Sequence, residues 1–319
     1  MPTASPTPPA SDADAAAAAV VVIGGGTGLV GSRLADMLAA RGDEVRLLSR
    51  SPERVRDHAA FAWDTDRDYL DPAALAGATH VVNLAGAGIA DARWTDARKR
   101  LIVESRTGTT ALLGRALAAQ ADRTVRAYVS ASAIGYYGDR GDAWVREDSE
   151  PGTGFLSEST VAWEDSVRAL AEATGLRTCL LRTGIALSPE GGALEKMLVP
   201  ARLGVSGYFG DGAQYYSWIH LDDLCRAYLA ALDDEAYVGP VNAVAPTPVT
   251  CKTLARVLAE ALPNPAVALP VPAFGLRLAL GEMSHTVLDS TRVSSTRLVD
   301  ALGFDFEWPS IEGALRDLV

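Results

Sequence analysis

Sulfur and imidazole are scarce in this chain, which holds three cysteines, four methionines and four histidines in 319 residues. Cys179, Cys225 and Cys251 lie far apart with no C-x-x-C spacing, which excludes a disulfide framework and a zinc knuckle. So sparse and odd a count fits reduced, buried thiols in a cytoplasmic protein. The histidines are equally scattered, and no metal site is expected. Basic charge is also short: 29 Lys and Arg against 40 Asp and Glu give a net charge of −11. Nucleic acid and anionic membrane, which call for a basic face, are therefore excluded as partners. No apolar run approaches the roughly 18 residues of a membrane span. The N-terminus "MPTASPTPPASDADAAAAAVVVIGGG" has no basic segment ahead of its apolar run, so it does not read as an export signal. Residues 1–17 read as a disordered tail.

What is present is an ordinary globular composition, 48% hydrophobic and 22% charged, in which strand and helix patterns alternate. "AVVVIG" is a continuous apolar run, as for a strand buried on both faces of a parallel sheet. "GLVGSRLADMLAARG" repeats apolar residues at helical spacing and stops at Gly42, a C-cap candidate. "EVRLLS", "AFAW" and "THVVNLAG" read as strands, a long helix follows from Thr95 to about residue 121, and "VRAYVSAS" and "LRTCLLRTG" flank a helix starting near Phe155. Strands separated by crossover helices predict an α/β fold with a doubly wound, Rossmann-like parallel sheet. Residues 18–185 and 213–247 are assigned to that core. Residues 186–212 and 248–319, richer in Gly and Pro around short elements, are assigned to a smaller C-terminal lobe on the substrate side.

"VVIGGGTGLVG" sets Gly25, Gly28 and Gly31 in a G-x-x-G-x-x-G series between the first strand and first helix, with Thr27, Leu29 and Val30 between them. Backbone N–H groups can then approach a pyrophosphate, and the helix N-terminus favours the anion. The residue ending the second strand selects the cofactor: an acid accepts from a ribose 2′-OH, whereas Arg favours a 2′-phosphate. Ser49 and Arg50 stand there and no acid does, so NADP(H) is expected over NAD(H). Asp64, after the third strand, is either an acceptor near the adenine or a turn former.

With "GGTGLVG", "VVNLAGAGIA", "YVSASAIGYYG" and "SWIHLDDL" in order, the chain resembles the extended short-chain dehydrogenase/reductase superfamily from about Ala18 onward. "DARWTDARKRLIVESRTGTT", "GGALEKMLVPARLG", "PVNAVAPTPVT" and "PVPAFGLRLALGEM" narrow the resemblance to the subgroup labelled nucleoside-diphosphate-sugar epimerase-like, or "epimerase family protein". The resemblance implies an NADP(H)-dependent oxidoreductase or isomerase acting on a small-molecule substrate, a sugar-like one among the candidates. By position it places Asn83, Ala85 and Gly86 beside the cofactor. It gives Ser132 the role of the active-site Ser, with Ser130 as an alternative that strand alternation lets share its face.

Two departures stand out. The superfamily's Tyr and Lys, four residues apart on one helix, fall on Leu156 and Thr160 in "FLSESTVAWE". Without them the Lys-assisted ionisation of Tyr is absent. The Arg that sugar-nucleotide epimerases place four residues before the His of "H-x-x-D" falls on Tyr216, and Tyr cannot replace its charge. Arg182, Arg202 and Arg292 are the alternative cations. A phenol near the Ser loop, Tyr136 or Tyr137, or else water, would then supply the proton, and Tyr136 is taken as the catalytic candidate. His220 is expected to be structural, Asp222 and Asp223 to complement a helix dipole, and Trp163 to pack on the sheet. Trp94, Lys99 and Arg106 line either the substrate cleft or a homodimer face. The competing reading is a non-catalytic NADP(H)-binding regulator on the same fold.

Overall fold

The computed structural model describes residues 18–264 and 266–319, so the N-terminal tail assignment lies outside the described residues. In chain order come β1 (Val20–Gly24), α1 (Leu29–Arg41), β2 (Glu44–Ser49), β3 (Ala59–Asp64), β4 (Tyr69–Leu70), β5 (His80–Asn83) and α2 (Asp96–Ala119). They are followed by β6 (Ala127–Ala133), β7 (Trp144–Val145), α3 (Phe155–Thr174), β8 (Arg177–Thr183) and β9 (Ile185–Ser188). Then come α4 (Gly192–Arg202), β10 (Val205–Phe209), β11 (Tyr215–Tyr216), β12 (Trp218–His220), α5 (Leu221–Asp233) and β13 (Gly239–Ala243). The chain closes with β14 (Val249–Thr250), α6 (Cys251–Ala261), β15 (Val267–Val271), α7 (Ala273–Leu280), α8 (His285–Leu288), β16 (Arg292–Val293) and α9 (Ile311–Leu318).

The eight-stranded sheet runs β13-β8-β6-β5-β1-β2-β3-β4, parallel throughout except for the terminal β3–β4 pair. The doubly wound fold is as expected. β1 pairs with β2 on one side and β5 on the other, so successive crossovers leave the centre in opposite directions. That reversal opens a crevice at the carboxyl ends of β1 and β5, where doubly wound folds bind ligands. The continuous apolar run of β1 has its reason here: Val21, Val22 and Ile23 are fully buried between two helical layers. One layer is built on α1 and α5, with Leu34, Leu38, Leu224 and Tyr228 against the sheet. The other is built on α2 and α3, with Leu113, Leu117, Trp163 and Val167.

Local signals held where they are strongest. Gly42 adopts φ 97° and closes α1 by donating to Ala39 O and Leu38 O. Thr95 caps α2, its side chain accepting from Arg98 N at 3.2 Å. The "SWIH" strand, β12, pairs in parallel with β9, apart from the main sheet. A separate cluster joins Leu194 and Leu198 of α4, Trp218 of β12, Leu254 and Leu258 of α6, and Ile311 and Leu315 of α9. Among the described residues no helix is long and apolar enough to cross a membrane.

Candidate functional site

The loop after β1 is built by backbone contact. Gly25 sits at φ 79°, and a Cβ there would lie 2.8 Å from Ala85 N and Leu84 C of the segment leaving β5. Gly28 N donates to Gly25 O at 3.1 Å, tightening the turn. A Cβ at Gly31 would overlap the Gly25 carbonyl, so only glycine lets the first turn of α1 pack on the loop. Gly28 is the N-cap of α1, with no side-chain cap and no acid in the first turn. The helix end thus keeps its N–H groups and positive dipole for an external anion. Thr27 is exposed, while Leu29 and Val30 are half-buried, Leu29 under the turn at Gly191. This cradle fits a pyrophosphate.

At the end of β2, Ser49 Oγ accepts from Ser51 N at 3.1 Å and fixes the turn. Arg50 beside it is exposed and makes no ion pair among the described residues. Asp64 takes part in a turn. Its carboxylate accepts from Asp66 N at 2.9 Å and Arg67 N at 3.3 Å, and it lies 3.4 Å from Arg67 Nε in the β3–β4 hairpin.

Asn83 is fully buried, and its amide holds the sheet together from inside. Nδ2 donates to the Tyr128 hydroxyl at 3.0 Å, and Oδ1 accepts from Ala85 N at 3.2 Å. It fixes Ala85 beside the phosphate loop, helped by Leu84 N donating to Gly24 O at 2.8 Å. Beyond Gly86, Ala87 N donates to Ser105 Oγ at 2.9 Å and Ala87 O accepts from Arg106 Nη1 at 3.0 Å, which ties the loop to α2. Trp94 meets Phe155 at the start of α3, ring centroids 4.8 Å apart, and Lys99 lies 5.3 Å over the same ring while pairing with Glu282.

Ser132, the expected active-site Ser, is buried at the end of β6, and its hydroxyl donates to Glu164 Oε1 at 2.6 Å. The cause is strand alternation, which turns Ser132 toward α3, where Glu164 waits one turn beyond Thr160. Glu164 is also gripped by Arg182 of β8, Nε to Oε1 and Nη2 to Oε2 both at 2.8 Å. Arg182 Nη1 donates to the Tyr137 hydroxyl at 2.9 Å, and Tyr137 donates to Asn242 Oδ1 at 2.6 Å. The carboxylate raises the Arg182 pKa against the opposing effect of burial, and burial pushes the Tyr137 phenol up to about 12. Arg182 thus stays charged and Tyr137 neutral at neutral pH.

Tyr136 differs. Its ring stacks on the Arg182 guanidinium, 3.6 Å from Cζ to centroid, and its hydroxyl has no hydrogen bond to the described residues. The neighbouring Gly135 faces Leu156 and Thr160, whose Cβ and Oγ1 would stand 3.5 and 3.6 Å from a Cβ on it. Thr160 Oγ1 donates back to Leu156 O at 2.7 Å, so α3 presents no titratable group at this point.

The H-x-x-D element is structural, as expected. His220 accepts from Asp222 N at 3.1 Å as the cap of α5, lies 3.3 Å from Asp317 Oδ2 and stacks 3.8 Å over Trp308. Asp222 pairs with Arg33 at 2.6 Å, and buried Asp223 accepts from Glu307 N and Trp308 N at 3.0 Å. Tyr216 donates its buried phenol to Val287 O at 2.6 Å. Arg292 lies between the Trp144 and Tyr215 rings. Sequence reasoning missed Glu164. The available signal was an acid at helical spacing between Thr160 and Val167, on the face that α3 buries.

The profile of the NAD dependent epimerase/dehydratase family matches residues 21–243. The chain belongs to that family. A domain of unknown function matches residues 271–318 of this epimerase/dehydratase-family chain. The epimerase family protein Mb2239 of Mycobacterium bovis is 37% identical over 292 residues, covering 91% of this chain and 94% of the relative. Mouse epimerase family protein SDR39U1 is 34% identical over 300 residues, covering 93% and 98%. Among solved structures, human SDR39U1 crystallised with NADPH superposes at a TM-score of 0.82 and 30% identity, over 93% of this chain and 98% of that one. A Corynebacterium glutamicum nucleoside-diphosphate sugar epimerase gives 0.75 at 33% identity, over 94% of this chain and 58% of the other.

Proposed function

We propose that this chain is an NADP(H)-binding oxidoreductase or epimerase-like enzyme acting on a small-molecule substrate, with Tyr136 as its proton-transferring group. The observation that carries the proposal is Tyr136 itself, a phenol at the end of β6 with its ring held on a buried guanidinium and its hydroxyl unclaimed. Support for the cofactor comes from the uncapped α1 N-terminus behind Gly25 and Gly31, from exposed Arg50 in place of an acid, and from NADPH in the crystals of human SDR39U1. When bound, NADP(H) supplies or accepts a hydride. Glu164 fixes Arg182, Arg182 fixes the Tyr136 ring, and Ser132 secures Glu164 from below. Leu156 and Thr160 stand in place of the Tyr–Lys pair, so the proton passes through Tyr136 or through water that it orients.

The substrate is a small molecule without a diphosphate clamp at Tyr216, whose phenol is turned into the lobe. A cytoplasmic location agrees with three buried free thiols. A second reading, a non-catalytic NADP(H)-binding regulator, is favoured by the bond that commits the Ser132 proton to Glu164. The test is to add NADPH to the protein and follow its A340 against a panel of carbonyl metabolites. Turnover of any one supports the enzyme, and none across the panel supports the regulator.

A further inference from the structure

Arg106 is a cation without a counter-ion in a chain that carries excess acid. It projects from the middle of α2 toward the segment leaving β5. Nη1 donates to Ala87 O at 3.0 Å and Ile102 O at 2.9 Å, and Cζ lies 5.1 Å from the centroid of the Trp163 ring. A Cβ on Gly86 would stand 3.0 Å from that Cζ, so Gly86 is where the guanidinium comes flush with the strand end. No carboxylate lies within ion-pair distance among the described residues, and its Nε and Nη2 make no hydrogen bond to them. The charge that acts on it is another cation, Arg98, which bonds to Gly88 O and lies 3.1 Å from Asp91. Burial, with the Arg98 charge second, brings the Arg106 pKa down to about 10. Its Nε and Nη2 are thus left as donors for a ligand that replaces water at this strand end.

The sheet order says which part of a ligand would do so. The pyrophosphate belongs at the α1 N-terminus, and the adenosine half lies toward β2, where Arg50 stands. The other half must run across the ends of β5 and β6, past Gly86. We infer that Arg106 holds the nicotinamide half of NADP(H), donating from Nε and Nη2 to its ribose hydroxyls. α2 thereby delivers a cation that α3, with Leu156 and Thr160, does not carry. This rests on the cofactor reading above. It adds a residue that no contact of the phosphate loop requires.

The experiment is calorimetric titration of wild type, Arg106→Lys, Arg106→Gln and Arg106→Ala with NADPH and with 2′,5′-ADP, which lacks the nicotinamide half. Melting temperatures are recorded without ligand. Gln keeps a donor for Ala87 O but loses the charge, and Lys keeps the charge. Losing charge-assisted hydrogen bonds predicts NADPH binding weaker by about ten- to a hundred-fold in the Gln and Ala variants. The Lys variant should stay within about threefold of wild type, and 2′,5′-ADP should bind all four alike. NADPH binding by Arg106→Gln at wild-type strength, or equal losses for both ligands, overturns the inference alone. A wild type that binds neither ligand overturns it together with the cofactor reading.

Discussion

Ser132 of β6 and Arg182 of β8 are register partners on adjacent parallel strands, and both bond the same oxygen, Glu164 Oε1, at 2.6 and 2.8 Å. Two strands and α3 are thereby clamped by one carboxylate that is itself fully buried. Removing one partner of such a pair strands the other, at a cost of about 3–5 kcal/mol. Arg182→Met and Glu164→Gln should each lower unfolding free energy in urea by that order. Replacing both with apolar residues of similar volume should recover much of it. Single replacements with wild-type stability would mean the clamp carries nothing.

His220 predicts a pH dependence. Burial holds its pKa below the ordinary value, against the opposing pull of Asp222, Asp317 and Asp223. In the unfolded chain the imidazole protonates near about 6.5. Below that pH the unfolded state binds more protons, so the stability present above about 6.5 is lost as pH falls toward the folded value. His80 is shifted the same way by burial. The melting temperature should fall between about pH 7 and 5, and His220→Asn, which keeps a cap acceptor, should flatten part of the slope. An unchanged slope in that variant would place the effect elsewhere.

Gly31→Ala puts a methyl into the Gly25 carbonyl. The phosphate loop must shift, with an overpacking cost of about 1–3 kcal/mol and NADPH affinity reduced with it. Calorimetry and melting on the same sample would show both changes, and wild-type values in each would contradict the close packing.

Arg50→Ala addresses cofactor choice. A charge-assisted phosphate contact contributes about 1.5–3 kcal/mol, so NADPH should lead NADH by about ten- to a hundred-fold in wild type. The variant should lose most of that difference. Equal affinities of wild type for the two cofactors would remove Arg50 from the site.

The parts of this fold that the sequence made legible are local in origin. The glycine series, the Gly42 cap and the buried run of β1 are each set by steric or burial rules acting within about a dozen residues. What escaped depends on distant partners. The β3–β4 hairpin has two residues in its second strand, too few for a period, so the turn contacts of Asp64 could not be read in advance. Ser132 was correctly placed on a strand end, but its partner lies 32 residues on, across the gap to α3. Asn83 met the same limit, since its amide bonds Tyr128 on the neighbouring strand. Tyr136 could be named from the loop sequence, whereas the Arg182 beneath its ring comes from β8.

The central claim is that a phenol on the β6 loop replaces the helix-borne Tyr–Lys pair. Its most direct test is the rate of NADPH oxidation, with the best substrate from a carbonyl panel, in wild type and Tyr136→Phe. Phe keeps the ring on Arg182 and removes only the hydroxyl. Loss of a general acid predicts a drop in kcat of about 10²–10⁴-fold with NADPH affinity unchanged. Equal kcat in Tyr136→Phe and wild type would contradict the assignment.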